Sequence, residues 1–430
     1  MIEYILGYLH SDVTPGEAGN LFWVTVYVLL VFLGISVGVI FMNWFERKVM
    51  AHMQVRIGPM RVGPHGLLQP VADALKLIIK EDLMPAHADK IVFWFAPVCV
   101  VMTAFCGFIV VPFGRTHAIT DMNIGVLFML GVSSLGVLGV IMAGWASNSQ
   151  YPLMGSLRSG AQMVSYEVAM CMSVVSAVMM TSLVTGTGTM SMIGIVQAQE
   201  QQHMWFAFSF FPVGLTALGV FAIAMVAETN RAPFDLPEAE SELVAGFLTE
   251  YSGFRWSLFF LAEYAGMMAV SAIATTLWLG GWLRPFPHLL GGANWDTAFS
   301  LVPGLGFILL GALCLFYAVK MPKLRSMRGN LLGLAGFGAF LAAMGLFMLL
   351  PGVRTRVQDI FWFTIKVGFF MYLYIWYRTT FPRYRFDQLM KIGWKFLLPI
   401  SIAVVVLTAV IGVRQELLAL LFSSWFGGRR

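Results

Sequence analysis

Several ionisable side chains lie inside segments that are otherwise apolar. Glu167, Glu263 and Lys366 fall well within apolar runs, and Glu228 and Asp359 fall at the ends of others. An ionised group at the centre of a bilayer costs about 2.5 to 3.5 kcal/mol on insertion scales, so such groups are expected to face one another or water. This pattern favours a proton or ion pathway. A structural ion pair that only fixes helix packing is the alternative.

The segment 228–255 is a second candidate for chemistry because it is strongly acidic. Its charged residues are the acids Glu228, Asp235, Glu238, Glu240, Glu242 and Glu250 and the bases Arg231 and Arg255. Apolar residues such as Phe234 and Phe247 are mixed with them and indicate that the segment folds back against protein or lipid. Crowded carboxylates perturb one another, so a group whose charge follows a nearby redox reaction is expected here. A solvated acidic loop is the alternative.

The four cysteines show no spacing typical of a metal site. Cys99, Cys106, Cys171 and Cys314 lie inside apolar runs, without a C-x-x-C motif or a nearby histidine pair. We interpret them as small buried hydrophobic residues. As a set, they are not expected to hold an iron–sulfur cluster or zinc.

These residues must be positioned by membrane-spanning helices. Of 430 residues, 59% are hydrophobic and 11% charged, with a mean hydropathy of +0.79, whereas soluble domains carry about 25% charged residues. The apolar runs are continuous, unlike the short alternating segments of an outer-membrane barrel. The sequence predicts an all-α, polytopic membrane helix bundle. Its ten predicted spans lie near residues 21–44, 91–112, 124–146, 161–184, 205–227, 257–281, 301–319, 331–350, 358–377 and 396–413.

The basic residues predict the orientation of these spans. With the N-terminus outside, the inner segments carry 19 Lys and Arg residues and the outer segments carry 7. Because basic residues concentrate in cytoplasmic loops, both termini are predicted on the outer side of the membrane. In a membrane protein the location of the basic residues is more informative than the net charge, which is +5 here. No binding of nucleic acid is expected.

The first long inner segment, 45–90, contains a predicted surface helix. Apolar residues recur at helical spacing between Val71 and Asp82, and Asp73 and two lysines share the opposite side. Such an amphipathic helix lies along the membrane surface or against a partner. Glycines and prolines between Gly58 and Gly66 predict fixed turns before it.

Five longer stretches carry distinctive motifs in a defined order. They are ERKVMAHMQVRIGPMRVGPHGLLQPVADALKLIIKED from Glu46, AGWASNSQYPLMGSLRSGAQMVSYEV from Ala143, AETNRAPFDLPEAESELVAGFLTEYSG from Ala227, EYAGMMAVSAIATTLWLGGW from Glu263 and TFPRYRFDQLMKIGWKFLLP from Thr380. Together they resemble the membrane subunit of proton-pumping NADH:quinone oxidoreductase, respiratory complex I, that lies beneath the peripheral arm. The resemblance covers most of the chain and is far more specific than one short motif.

The resemblance implies that the chain carries no flavin, iron–sulfur cluster or covalently bound cofactor, and forms the membrane-side part of a chamber that a quinone substrate enters from the lipid. Residues that match quinone-binding positions are Arg56, Asp73, Arg231, Phe234 and Asp235. The candidate proton-coupling residues are Glu167, Glu228, Glu240, Glu242 and Glu263, with Lys366 added because of its place in an apolar run.

The resemblance also implies partners and a location. The expected partners are peripheral-arm iron–sulfur and quinone-site subunits, small membrane subunits and antiporter-like subunits, in a bacterial inner membrane. Such a subunit is expected to be inactive alone.

The chain departs from the family pattern after its LGGW and PFP motifs. About 65 additional residues precede the span with Lys366 and carry two extra predicted spans, where the family has eight helices in all. The predicted organisation is therefore a core at 1–282, an insertion at 283–356 and C-terminal core helices at 357–430. The glycines of the second extra span, Gly333, Gly336, Gly338 and Gly345, predict close helix contact, and the pair is expected to be peripheral to the core.

Two other functions remain open on the sequence. A subunit of a related membrane-bound hydrogenase or dehydrogenase without quinone is one alternative, and the intact RIGPMRVGPHGLLQPVAD segment favours the quinone enzyme over it. A self-contained ion or solute transporter is the other. Inverted repeats would support a transporter, and the sequence shows none.

Overall fold

The regular elements of the described chain are helices. The computed structural model describes residues 18–115, 117–235, 244–285, 293–320 and 328–426. The first seven helices of at least six residues are α1 (Ala18–Met53), α2 (Gln69–Ile79), α3 (Lys90–Cys106), α4 (Gly125–Ala146), α5 (Gln150–Thr185), α6 (Met192–Gln201) and α7 (Val213–Glu228). The other six are α8 (Gly253–Trp278), α9 (Ala293–Lys320), α10 (Arg328–Met348), α11 (Pro351–Thr380), α12 (Phe386–Lys391) and α13 (Leu398–Phe426), the last two joined by the π-helical segment Ile392–Leu397.

The helices confirm the prediction of a polytopic membrane bundle. Within the described residues, eight helices are long and apolar enough to cross a membrane, and two shorter apolar helices, Val213–Glu228 and Gly333–Met348, accompany them. Each of the ten predicted spans lies on one of these ten helices. The protein is therefore a multi-pass membrane protein.

Several predicted boundaries differ from the observed ones, and two of them have a clear local cause. The helix α5 begins at Gln150, well before the predicted start of its span at residue 161, because its first turns contain polar residues that lower the window hydropathy. The helix α7 begins at Val213, directly after Pro212, and not at residue 205. Proline lacks a backbone N–H and is favoured at the start of a helix, and the apolar residues before Pro212 include the separate short helix Phe206–Ser209.

The core of the bundle is formed around α5 and α8. The helix α5 packs against α4, α7 and α13, and α8 packs against α3, α7 and α11. Buried aromatic and methionine side chains such as Tyr166, Phe221 and Met267 fill the space between them. This arrangement brings α1, α7, α8 and α11 together at one end of the bundle, which positions the site described below.

The predicted surface helix is confirmed as α2. It begins with a proline in its first turn and covers Gln69–Ile79. Its apolar residues Leu75, Ile78 and Ile79 are exposed in the isolated chain. Asp73 receives a hydrogen bond from Gln69 and forms an ion pair with Arg47 of α1, with Nη1 2.6 Å from Oδ2.

The two extra helices form an antiparallel hairpin, α9 and α10, that packs mainly on itself and contacts the rest of the bundle chiefly through α11. A Cβ atom at Gly311 would lie 2.6 Å from the carbonyl oxygen of Gly338, and one at Gly345 would lie 2.7 Å from that of Gly304. The expected close contact is therefore confirmed at Gly338 and Gly345. It is wrong at Gly336, whose Cβ would meet no atom within 4 Å.

Candidate functional site

Charged side chains from four segments meet in the interior where α1, α8 and α11 approach the loop after α7. We call this group the charged cluster; it consists of Glu46, Arg231, Glu263, Tyr264 and Arg378. Glu46 is 5% exposed, Arg231 7% and Tyr264 3%. The tertiary fold therefore brings distant segments of the chain together at these charged side chains.

The charged cluster pairs two guanidinium groups with two carboxylates. Arg231 Nε lies 2.5 Å from Glu263 Oε1, and Arg231 Nη1 lies 3.3 Å from Glu46 Oε1. Arg378 forms a second ion pair with Glu46. The Tyr264 hydroxyl donates a hydrogen bond to Glu46 at 2.5 Å, and its ring lies under the Arg231 guanidinium, with Cζ 4.3 Å from the centroid. Removal of any one charge would leave a buried partner uncompensated.

Arg231 occupies the centre of this arrangement, in the loop that follows α7. Burial is the largest influence and would lower its pKa, but the coulombic attraction of the neighbouring acidic groups, chiefly Glu263, raises the pKa well above its usual value. Arg231 is therefore a fixed positive charge. Any change of charge in the cluster must occur on its acidic members or on a bound ligand.

A mainly apolar cavity of about 140 Å³ lies next to the charged cluster, with walls from α3, α4 and α8. Its polar lining includes Glu228, Thr229, Asn230 and Glu263, so Glu263 belongs to both the cavity and the cluster. Glu228 is 9% exposed, and its Oε2 atom has no hydrogen-bond partner among the described residues. A buried carboxylate oxygen beside a cavity can bind a water molecule or a polar group of a ligand.

A second carboxyl group lies near this cavity. Glu167 of α5 accepts a hydrogen bond from Ser134 of α4, and it interacts electrostatically with Glu228. Neighbouring Ser133 lines the cavity. The carboxylates Glu167, Glu228 and Glu263, which the sequence places on three different helices, therefore lie in one region of the bundle.

The loop after Arg231 is held by packing and hydrogen bonds. Phe234 is 6% exposed, and its ring lies between those of Tyr166 and Tyr384, with centroid separations of 5.7 and 5.6 Å. Gln162 of α5 donates hydrogen bonds to the carbonyl oxygens of Ala227 (2.7 Å) and Phe234 (2.8 Å). These contacts fasten both ends of the segment that carries Arg231.

Asp235 forms an ion pair with a residue outside the charged cluster. It is 7% exposed and forms an ion pair with Arg383, at 3.2 Å from Nη2 to Oδ2. Glu240 and Glu242 lie outside the described residues, so their place relative to Asp235 and Arg231 stays a prediction.

Three further candidate residues lie elsewhere. Arg56 is exposed in the turn after α1, and Asp73 lies on α2. Lys366 lies on α11, twelve residues from Arg378, which corresponds to about 18 Å along a helix. The structure therefore brings Arg231, Glu263, Glu228 and Glu167 into one region and does not bring Lys366 there.

Reasoning from the sequence does not select three members of the charged cluster. Glu46 and Arg378 lie just beyond the predicted spans 21–44 and 358–377, where charged residues are expected, and Arg378 serves only as a topology signal. Tyr264 directly follows Glu263 in an apolar run. The available signal is Glu46 itself, an isolated acid at the end of the first span within an otherwise basic segment.

Comparison with known proteins gives a consistent relationship over nearly the whole chain. The model of a family described as NADH dehydrogenase matches residues 26–409. The first of the H-type NADH-quinone oxidoreductase subunits of Koribacter versatilis is 67% identical over 419 residues, covering 97% of this chain and 98% of that protein. The second H-type subunit of Solibacter usitatus is 48% identical over 371 residues (86% and 91%), and the H-type subunit of Rickettsia prowazekii is 40% identical over 410 residues (95% and 96%).

These matches agree with the membrane helices and with the motifs that surround the charged cluster. The chain therefore belongs to the NADH dehydrogenase family, as an H-type membrane subunit of the NADH-quinone oxidoreductase complex, respiratory complex I.

Proposed function

We propose that this chain forms the membrane-side wall of a quinone chamber and couples quinone reduction to proton translocation. The charged cluster beside the apolar cavity is the observation that carries the proposal. It combines a fixed cation, Arg231, with the buried carboxylate of Glu46 and the half-buried carboxylate of Glu263, which lines the cavity. A charge or proton that arrives in the cavity would act directly on this balanced set.

The size and chemistry of the cavity support a quinone as the ligand. A cavity of about 150 Å³ lined by apolar side chains is known to hold one benzene ring, and this one measures about 140 Å³. Ligand sites are typically apolar with a few polar groups that fix orientation. In this proposal the ring contacts apolar walls such as Met129 and Val270 while Glu228 or Glu263 approaches its oxygens. The remaining walls are contributed by partner subunits.

The carboxylates provide the first steps of a proton path. Two-electron reduction of a quinone takes up two protons, and moving one charge against 100 mV costs about 2.3 kcal/mol. In the proposed sequence, Glu263, Glu228 and Glu167 change protonation as the charge in the chamber changes. Arg56, Asp73, Phe234 and Asp235 are proposed to shape the entrance and the loop beside it, and Glu240 and Glu242 to transmit the change.

The assembly around the chain is part of the same proposal. The electron carriers are assigned to peripheral-arm iron–sulfur and quinone-site subunits, and the chain is proposed to be inactive without them and without its small and antiporter-like membrane partners. Among the described residues, no group of three or more His, Cys, Asp or Glu side chains could hold a metal ion. The proposed orientation places both termini on the outer side of a bacterial inner membrane.

The membership of this family favours the quinone enzyme over the hydrogenase-type subunit and the self-contained transporter. The purified complex should oxidise NADH with a short-chain quinone, and a quinone-site inhibitor should block this activity. That result would exclude the hydrogenase-type subunit. Substrate-driven flux through the lone reconstituted chain would support the self-contained transporter.

The central experiment replaces the cluster carboxylates in the assembled complex. We expect Glu46→Gln and Glu263→Gln each to lower NADH:quinone reductase activity and proton translocation at least about tenfold, because each leaves a guanidinium without its full set of buried partners. The matched control is Glu200→Gln, whose carboxylate pairs with the exposed Arg115. Normal coupled turnover in both cluster variants would contradict the proposal.

A second experiment addresses the acidic loop. The double variant Glu240→Gln, Glu242→Gln is expected to reduce quinone reduction and proton pumping together, because both depend on the charge of this loop. Measurement of both rates in vesicles with the assembled complex tests this. Retention of fully coupled turnover would remove Glu240 and Glu242 from the mechanism.

A further inference from the structure

The turn after α8 forms a set of inward-pointing carbonyl groups around Lys366. The Lys366 ammonium donates hydrogen bonds to the carbonyl oxygens of Leu279 (2.7 Å), Gly281 (2.9 Å) and Leu283 (2.5 Å). We call these three oxygens the carbonyl cage. Lys366 is 5% exposed, and its Nζ lies 4.7 Å from the centre of the Trp205 ring. One buried cation of α11 is thus held by uncharged groups of the α8 turn and its neighbourhood.

Two glycines allow the turn to take this shape. Gly280 and Gly281 have φ values of +72° and +49°, a region that other residues rarely adopt. A Cβ atom at Gly280 would lie 2.8 Å from Trp205 Cδ1, and one at Gly281 would lie 2.8 Å from Val196 Cγ2. The geometry of the carbonyl cage therefore depends on glycine at both positions.

Two carbonyl groups in the last turn of α8 are held by a neutral side chain. Gln199 of α6 donates to the carbonyl oxygens of Thr276 (2.9 Å) and Leu277 (3.3 Å) and accepts from the backbone N–H of Phe206 (3.1 Å). The last carbonyls of a helix lack internal partners and carry the negative end of its dipole. A cation from α11 is the complementary group for the carbonyls that Gln199 does not reach.

The number of carbonyl acceptors indicates the protonation state of the Lys366 side chain. An ammonium group has three N–H donors and no lone pair, which matches three carbonyl acceptors. A neutral amine has two donors and would turn its lone pair towards a carbonyl oxygen. The carbonyl cage therefore matches the three donors of the charged form of Lys366 better than the two donors of the neutral form.

This contact joins the same two helices that supply part of the charged cluster farther along their length. The helix α8 carries Glu263 and Tyr264, and α11 carries Arg378. The chain between the carbonyl cage and α11 is interrupted by the hairpin of α9 and α10. Because a long connection restrains its ends weakly, a direct contact between α8 and α11 is needed to keep their relative position.

We infer that Lys366 is a positioning residue with a permanent positive charge, which fixes the axial position of α11 against α8 so that Arg378 and Glu263 meet in the charged cluster. It does not carry translocated protons. This inference rests on the proposed function only for its effect on turnover, because the restraint on the α8 turn exists whatever the chamber binds.

The experiment compares Lys366→Arg with Lys366→Met in the intact complex. Arginine keeps the charge and supplies several N–H donors but does not release its proton, so Lys366→Arg is expected to retain coupled proton translocation within about threefold of the parent. Lys366→Met leaves the carbonyl cage unpaired. Its quinone reduction and translocation are expected to fall together, at least about tenfold. Lys320→Arg and Lys320→Met are matched controls at an exposed lysine.

Hydrogen–deuterium exchange provides a readout independent of turnover. The amides of Leu279, Gly281 and Leu283 donate to Thr275 and Gly280 within the turn. We expect them to exchange at least about tenfold faster in Lys366→Met, because a hydrogen bond to a charged group is lost, and to keep near-parent protection in Lys366→Arg.

Two results would overturn the inference. One is a Lys366→Arg complex that reduces quinone with a protected turn but does not translocate protons, since this would identify Lys366 as a proton carrier. The other is an unchanged exchange rate in Lys366→Met. If instead the cluster variants Glu46→Gln and Glu263→Gln are fully active while Lys366→Met still loosens the turn, the proposed function fails and the positioning of α8 by Lys366 stands.

Discussion

The two ends of the α8–α11 pair hold buried charges in different ways. At one end, Arg231 and Arg378 are paired with Glu46 and Glu263, so charge is balanced by charge. At the other, Lys366 is surrounded by three neutral carbonyl groups. A balanced set of ionisable groups next to a cavity responds to one added proton or electron. Backbone carbonyl groups cannot change their charge, so the environment that they give a cation stays constant.

This difference in partners supports two roles: a response to charge for the charged cluster and a structural role for the carbonyl cage. The charged cluster shares Glu263 with the cavity, whereas the carbonyl cage is closed by Trp205 and by the turn of Gly280 and Gly281. A buried ionisable group is therefore not sufficient evidence for a proton path. The nature of its partners, and access to a cavity, decide which role the geometry supports.

The largest effect is expected at the centre of the charged cluster. Arg231→Met removes the ion pair with Glu263 and one of the two ion pairs of buried Glu46, and breaking a buried ion pair costs about 3 to 5 kcal/mol. We expect little assembled complex on native gels and no quinone reduction in what assembles. Arg115→Met, at an exposed ion pair, is the control and should assemble normally. Normal turnover of an assembled Arg231→Met complex would place the essential charge balance elsewhere.

A smaller effect is expected at the carbonyl cage. Gly280→Ala places a methyl group against the Trp205 ring in a backbone conformation unfavourable for alanine, with an expected loss of about 1 to 3 kcal/mol in stability. The melting temperature of the complex should fall while the coupling ratio of protons to electrons stays constant. Gly306→Ala, where the added atom meets nothing within 4 Å, should leave the melting temperature unchanged. A changed coupling ratio in Gly280→Ala would show that the two ends of the helix pair do not have separate roles.

A more limited change is expected on removing one hydrogen bond from the charged cluster. Tyr264→Phe deletes the donor to Glu46 and keeps the ring beneath Arg231. A hydrogen bond to a charged group contributes about 1.5 to 3 kcal/mol, so quinone reduction should fall without complete loss. Steady-state kinetics with a short-chain quinone tests this, and Tyr317→Phe at an exposed position is the matched control. An unaffected rate would mean that the two ion pairs alone hold Glu46.

The smallest effect on turnover is expected in the hairpin, which belongs to neither end. Gly311→Leu would force α9 and α10 apart, since even a Cβ atom would lie 2.6 Å from the Gly338 carbonyl oxygen. Overpacking of this kind costs about 1 to 3 kcal/mol. Limited proteolysis should cut the hairpin faster, while quinone reduction stays within about twofold. Loss of activity comparable to that of Lys366→Met would connect the hairpin to the positioning of α11.

The sequence predicted the fold well where composition is decisive. All ten spans lie on helices because long apolar runs satisfy their backbone hydrogen bonds in a membrane only as helices. It was less accurate at Pro212 and at the polar first turns of α5, where hydropathy does not report backbone geometry. The candidate site was predicted in part: Glu228 and Glu263 stand out as costly charges in apolar runs, while Glu46 and Arg378 do not, because helix ends tolerate charge.

By itself, the sequence determined the polytopic helical class, the surface helix α2 and the presence of buried ionisable residues, since each depends on residues close together along the chain. Only the tertiary structure decided which of those residues share a partner. Arg231 contacts Glu46 across 185 positions of the chain, and Lys366 contacts a turn more than 80 residues before it. Pairing over such separations depends on how whole helices pack, so the different partners of Arg231 and Lys366 emerge only in the folded bundle.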